Sequence, residues 1–255
     1  MNDLPILRAR GLNKHFGGVH AVEDFDLDVQ AGQIVGLIGP NGSGKTTVFN
    51  LITGVVPCDD GRIHLLSREI TGWKPHDIAR AGVGRTFQNL RLFEGLSVMD
   101  NVKTALCHRA TYSFASGLLG NARVRQVERE LTDRGRDLLL RVGLNQVVDE
   151  KPQNLPYGLQ RRLELARALA VDPRLLLLDE PAAGLNPSEV QDTVALIRRL
   201  RDELGIAILL IEHHMDVVMP ICSEVYVLNM GATIAHGAPR EIQKNHEVLR
   251  AYLGE

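Results

Sequence analysis

Gly39-Pro40-Asn41-Gly42-Ser43-Gly44-Lys45-Thr46, with Thr47 directly behind it, fits the pattern of a glycine, four residues, then Gly-Lys-Thr. Glycines at these positions let several backbone N–H groups close on one phosphate group without a side chain in the way. Lys45 supplies a compact positive charge for the β- and γ-phosphates of a nucleotide, and the Thr46 hydroxyl is an oxygen ligand suited to Mg²⁺. A helix that opens inside the motif adds the partial positive charge of its N-terminus. Such a loop needs a carboxylate on the metal side as well. Arg174-Leu175-Leu176-Leu177-Leu178-Asp179-Glu180 offers one at the end of an apolar run, with Asp179 placed to hold Mg²⁺ and Glu180 to polarise an attacking water.

The elements around these residues follow from periodicity. Gln33 to Ile38 reads as a short buried strand and Thr46 to Thr53 as a helix stopped near Gly54, so the loop has a strand before it and a helix after it. Phe25, Leu27 and Val29 alternate with Asp24, Asp26 and Asp28, the period of a half-buried strand in an antiparallel β region within the first thirty residues. From about Phe93 to Leu155 the pattern is helical, and Ser97 followed by Asp100 is a capping box opening a helix at Val98. Gln160 to Ala170 reads as a further helix, and Leu175 to Leu178 and Ile206 to Ile211 as buried strands separated by a helix with Val190, Val194, Ile197, Leu200 and Leu204 on one face. The expected fold is α/β: a mostly parallel core sheet, an antiparallel β subdomain, and a helical subdomain at about 93–170 inserted in one domain spanning 1–255.

Composition narrows the setting. With a formal charge of −2 there is no basic excess to drive non-specific nucleic-acid binding, and nucleic acid is not an expected partner. The most charged stretch, Arg123 to Asp137, carries apolar Val124, Val127 and Leu131 at helical spacing and reads as a solvated helix face. The longest apolar run, Ile206 to Ile211, falls far below the ~18 residues of a membrane span. The start, Met1-Asn2-Asp3-Leu4-Pro5, lacks a basic region followed by an apolar one, so no signal peptide is expected. Cys58, Cys107 and Cys222 are too dispersed to bind metal together and read as reduced thiols of a cytoplasmic protein.

Leu155-Pro156-Tyr157-Gly158-Leu159-Gln160-Arg161-Arg162-Leu163-Glu164-Leu165-Ala166-Arg167-Ala168-Leu169 resembles the signature segment of ABC-type ATPases, and the resemblance then covers nearly the whole chain. It implies that Phe16 stacks on adenine, that Gln88 joins the nucleotide and its metal to a transmembrane partner, and that Ala183-Gly184-Leu185-Asn186 contacts a second ATPase subunit. It further implies that His213 touches the γ-phosphate and that Gly158 contributes to the nucleotide bound by the other subunit. Arg85 to Phe93, Pro181 to Pro187, Glu212-His213-His214-Met215 and Ala251-Tyr252-Leu253-Gly254-Glu255 are similar to the ATPases of branched-chain amino acid importers. That likeness implies ATP and Mg²⁺ as ligands, a homo- or heterodimeric ATPase pair, two membrane permease subunits fed by an external solute-binding protein, and a peripheral place at the cytoplasmic face of the membrane. The alternative is a soluble ABC ATPase of DNA repair or translation, whose zinc cysteines, coiled-coil insertion or second cassette are not seen in this sequence.

Several of these residues have structural roles to fill as well. Asn186 before Pro187 is a ready helix N-cap. Trp73, the only tryptophan, reads as a packing anchor. His213 and His214, adjacent at a strand end, are expected to point apart and to bind no metal. One departure from the family stands out: Pro156 occupies the position of a serine whose hydroxyl grips phosphate, and Leu159 that of a glutamine-like residue. Proline offers neither hydroxyl nor N–H.

Overall fold

A computed structural model describes residues 4–107 and 122–253. The expectations for Met1 to Asp3, for residues 108–121 of the helical stretch and for Gly254-Glu255 lie outside the described residues. The chain divides into two compact units, one formed by residues 1–88 with 174–255 and the other by residues 89–173.

The first unit is α/β and holds two sheets. Strands β1 (Leu7–Phe16), β2 (Val19–Val29), β4 (Asp60–Leu65) and β5 (Arg68–Glu69) form a four-stranded sheet in the order β2-β1-β4-β5, antiparallel throughout. In β2 the expected alternation holds, with Phe25, Leu27 and Val29 buried and Asp26 exposed. The second sheet has six strands in the order β10-β9-β3-β8-β7-β6. Its members are β3 (Ile34–Ile38), β6 (Val83–Arg85), β7 (Leu175–Asp179), β8 (Ala207–Ile211), β9 (Glu224–Asn229) and β10 (Ala232–Gly237). Every pairing is parallel except β9 with β10, which form a hairpin at the edge. Strands β3, β7 and β8 are buried at every position, as strands covered on both faces must be.

One apolar cluster joins the two sheets. Phe25, Leu27 and Leu7 from the antiparallel sheet pack with Val35, Leu37, Leu177 and Leu209 from the parallel one, and Phe49 and Ile52 of the helix Lys45–Ile52 enter the same cluster. Trp73 lies against this cluster with the Arg68 guanidinium 5.1 Å from its ring centroid, in keeping with a packing role. The helix Pro187–Leu204 is capped as expected: Asn186 Oδ1 accepts from the N–H groups of Ser188 and Glu189, each at 3.0 Å, and Glu189 Oε2 accepts from Asn186 N–H.

The second unit is helical over its described residues, with helices Val98–Leu106, Ala122–Arg141 and Tyr157–Leu169. Val98, Val102, Leu131, Leu139, Leu163 and Leu169 are buried there. Ser97 caps its helix by accepting from Asp100 N–H at 3.0 Å. The helix expected from Gln160 begins three residues earlier, at Tyr157, because Pro156 takes the extended N-cap conformation and its carbonyl accepts from the N–H groups of Leu159 and Gln160 at 2.9 and 3.1 Å.

Candidate functional site

The phosphate loop leaves the end of β3 and runs into the helix Lys45–Ile52. Two of its glycines are required by space and conformation together. Gly39 and Gly44 have φ of 148° and 105°, and a Cβ would lie 2.0 Å from the Leu228 carbonyl oxygen at the first and 2.2 Å from that of Ala21 at the second. The loop is thus pressed against β9 and β2 on one side. Its other side is open, since a Cβ on Gly42 would meet nothing within 4 Å. The β9–β10 hairpin clasps it: Gly231 N–H donates to Ser43 O at 3.0 Å, while Glu23 N–H of β2 donates to Gly231 O at 2.9 Å. Lys45 Nζ donates to the carbonyls of Gly39 and Pro40, both at 2.8 Å. Burial pulls the Lys45 ammonium below the ordinary lysine range, an effect opposed by the nearby carboxylates of Glu180 and Asp179.

Asp179 closes β7 and is only 4% exposed. Its carboxylate lies 3.6 Å from the Arg85 guanidinium, which β6 presents from the adjacent strand. Arg85 Nη1 also donates to Asn50 Oδ1 at 2.9 Å and Thr53 Oγ1 at 2.8 Å, both near the end of the helix that follows the loop. The rings of Phe87 and Phe49 lie 4.9 and 5.6 Å from the same guanidinium. Burial raises the Asp179 carboxyl above the usual carboxylate range, Arg85 pulls it back, and the Glu180 charge pushes it further up.

Glu180 has left the strand. Its φ is 49°, in the left-handed region that a residue with a side chain enters at a cost, and its N–H donates to Ile211 O at 3.0 Å. The carboxylate is bracketed on both sides: Gln88 Nε2 donates to one oxygen at 3.2 Å, and His213 Nδ1 lies 3.7 Å from the other. His213 and His214 do not point apart as expected. Their ring centroids are 4.1 Å apart, because β8 ends at Ile211 and the chain is already turning into the helix Met215–Ile221. With Glu212 they bring three possible ligand atoms within 4.8 Å of one another.

Asn41 to Thr47, Gln88 and Glu180 line one cavity of about 460 Å³, with Val19, His20, Ala21 and Met230 completing the wall. Backbone amides and a buried ammonium on one side suit a chain of phosphates. The exposed Thr46 hydroxyl, the Gln88 amide and the carboxylates of Glu180 and Asp179 are the hard oxygen donors that Mg²⁺ takes, so the residues present fit a magnesium nucleotide.

The family model described as ABC transporter matches residues 22–183, and one described as branched-chain amino acid ATP-binding cassette transporter matches residues 232–255. The chain belongs to the ABC transporter family. It is an ATPase of that family and binds nucleotide. It is 46% identical over 251 residues to the high-affinity branched-chain amino acid transport ATP-binding protein BraF of Pseudomonas aeruginosa, with 98% of each chain covered. To LivG of Escherichia coli, which bears the same description, it is 45% identical over 251 residues, again covering 98% of each. Among solved structures it is similar to the ADP conformation of the ABC transporter cassette MJ1267, with a TM-score of 0.85, 29% identity, and coverage of 99% of this chain and 100% of that one.

Within this cassette the expected site residues are not all brought to one cavity. Asn41 to Thr47, Gln88 and Glu180 share the cavity, while Asp179 and His213 stand beside Glu180 without lining it. Phe16 is half exposed, with the Lys14 ammonium 5.5 Å from its ring centroid, and is not among the lining residues. Gly158 belongs to the second unit, in the first turn of the helix Tyr157–Leu169. Sequence reading passed over Val19 and His20, which directly follow Phe16-Gly17-Gly18, and Met230, which is 82% exposed at the hairpin tip and has no local signal at all. It also missed Arg85 as the partner of Asp179, and Glu212.

Proposed function

We propose that this ATPase powers import of a small polar solute, a branched-chain or related amino acid, from a peripheral position at the cytoplasmic face of the membrane. Two features support the solute class: the 46% identity to BraF along almost the whole of both chains, and a C-terminal segment matching the branched-chain amino acid cassette family. No helix of the described residues is long and apolar enough to cross a membrane. In this reading two permease subunits carry the solute, and an external binding protein delivers it to them. The helical unit, residues 89–173, is the inserted subdomain of a single cassette.

In this reading ATP lies in the cavity above the loop. The loop N–H groups and Lys45 receive the phosphates, Lys45 exchanging its carbonyl partners for phosphate oxygens, and Phe16 stacks on the base. Thr46, Asp179 and Gln88 would hold Mg²⁺, which supplies charge neutralisation when bound. Glu180 orients and activates the water that attacks the γ-phosphate, with Gln88 and His213 fixing its carboxylate from either side. In the same reading His213 also contacts the γ-phosphate. A second ATPase subunit, identical or related, presents Gly158 and its neighbours to this site, and the turn through Ala183 to Asn186 meets that subunit.

The observation that carries the hydrolytic assignment is the bracketed Glu180 carboxylate in the cavity wall. General-base catalysis contributes about 10²–10⁴-fold, so Glu180→Gln should lower phosphate release by roughly that factor while leaving ATP-analogue binding in place. Undiminished hydrolysis by the variant would remove Glu180 from the role.

A further inference from the structure

Directly after β8 lies a carboxylate that hydrolysis as described above does not use. Glu212 is 0% exposed. Its Oε1 accepts from Ala182 N–H at 3.1 Å; its Oε2 accepts from the N–H groups of His213 at 3.1 Å and His214 at 3.3 Å, and His214 Nδ1 lies 3.1 Å from the same oxygen. A carboxylate removed from water is costly unless its lone pairs are met by donors, and here they are met almost entirely by main chain. The donors come from the two segments that flank Glu180. Ala182 belongs to the turn that follows Glu180 and leads to Asn186, and His213 is the residue whose ring stands 3.7 Å from the Glu180 carboxylate. Glu180 N–H donates to Ile211, the residue before Glu212.

Glu212, His213 and His214 also have the composition of a metal site. The oxygen that a metal would share with both rings already faces two backbone N–H groups and the His214 ring nitrogen, so the arrangement favours a fastening between main-chain segments.

We propose that Glu212 is a positioning residue that locks the turn at 181–184 to the main chain of His213, so that displacement of the turn by a second ATPase subunit is passed to His213 and through it to Glu180. The proposal rests on the reading of Glu180 as the group that activates water. It predicts a split between turnover and binding. In Glu212→Gln one amide oxygen can serve the His213 side, but the NH₂ then faces Ala182 N–H, donor against donor. Phosphate release at saturating ATP by the assembled transporter should fall about 10–100-fold, as expected for a misplaced catalytic group, with KM and ATP-analogue affinity within about two-fold of the parent. Glu212→Asp, which keeps the charge, should recover part of the rate. Since Glu212 acts through His213, adding Glu212→Gln to His213→Ala should slow hydrolysis no further than His213→Ala alone.

Parental turnover in Glu212→Gln, or losses that multiply in the double variant, would overturn the proposal. So would loss of ATP binding or of the fold in both Glu212→Gln and Glu212→Asp, which would assign the carboxylate to stability alone. Glu180→Gln measured in parallel separates the two levels. A fully active Glu180→Gln sinks the underlying reading and the proposal with it, whereas an inactive Glu180→Gln beside a parental Glu212→Gln sinks only the proposal.

Discussion

The Arg85 guanidinium reaches Asp179, Asn50 and Thr53 at once. Nothing near Arg85 in the chain announces this, because Asn50 and Thr53 come from the end of the helix Lys45–Ile52 and Asp179 from β7, and the Asp179 contact exists only once β6 lies beside β7. The phosphate loop was legible for the opposite reason. Its chemistry is contiguous, and the space and conformation that demand glycine at Gly39 and Gly44 act through local spacing. Glu212 was hidden in the same way as Arg85, since its partner Ala182 is brought near by the pairing of β7 with β8. Replacing Arg85 with Met leaves Asp179 buried without its cation, so stability to urea should fall by about 3–5 kcal/mol. The pH dependence has a definite sign. Arg85 holds down a carboxyl that burial pushes up, so its removal raises the Asp179 pKa further. A protonated Asp179 cannot hold a metal ion, so the acid limb of the ATPase pH profile should move to higher pH in Arg85→Met. An acid limb that stays in place would show that Asp179 does not govern metal binding.

At the scale of elements, the parallel sheet and the antiparallel β region were readable because burial on both faces and burial on one face leave different periods in the sequence. The hairpin β9–β10 was not, since its edge strand β10 is only partly buried and carries no clean alternation. The start of the helix Tyr157–Leu169 was also misplaced, because its buried apolar residues begin only at Leu163 while the first turn is fixed by backbone geometry at Pro156. That N-cap has no side-chain hydrogen bond, and the missing N–H of proline lies outside the helical ladder. Pro156→Ser should therefore act twice. It should stabilise the chain by about 1 kcal/mol through a new cap, read from urea denaturation. On the proposed pairing of two ATPase subunits it should also raise turnover of the assembled transporter, by giving the nucleotide on the other subunit a hydroxyl donor. An unchanged rate in an intact complex would show that backbone donors of the first turn already suffice.

For the whole molecule, ligand binding and folding are linked through the loop, since Lys45, Thr46 and the loop amides are arranged only in the folded chain. Saturation with ATP and Mg²⁺ at about 100 times Kd should add about 2.7 kcal/mol to stability, and removal of Mg²⁺ with a chelator should reverse part of it. In a chain of this size that corresponds to a rise in Tm of roughly 5–11 °C, measurable by differential scanning fluorimetry. A Tm indifferent to chelator would remove the metal from the bound state. The clasp of Gly231 on Ser43 bears on how such a molecule is made. On the ribosome the loop emerges long before the hairpin that pins it, and β3 emerges before β8 and β9, its two neighbours in the sheet. At ~5–20 residues per second the nascent chain waits roughly ten to forty seconds between Ser43 and Gly231. For that interval every residue of the phosphate motif has been translated, yet the main-chain partner that clasps it has not, so the loop gains its clasp only once the hairpin turn has been made.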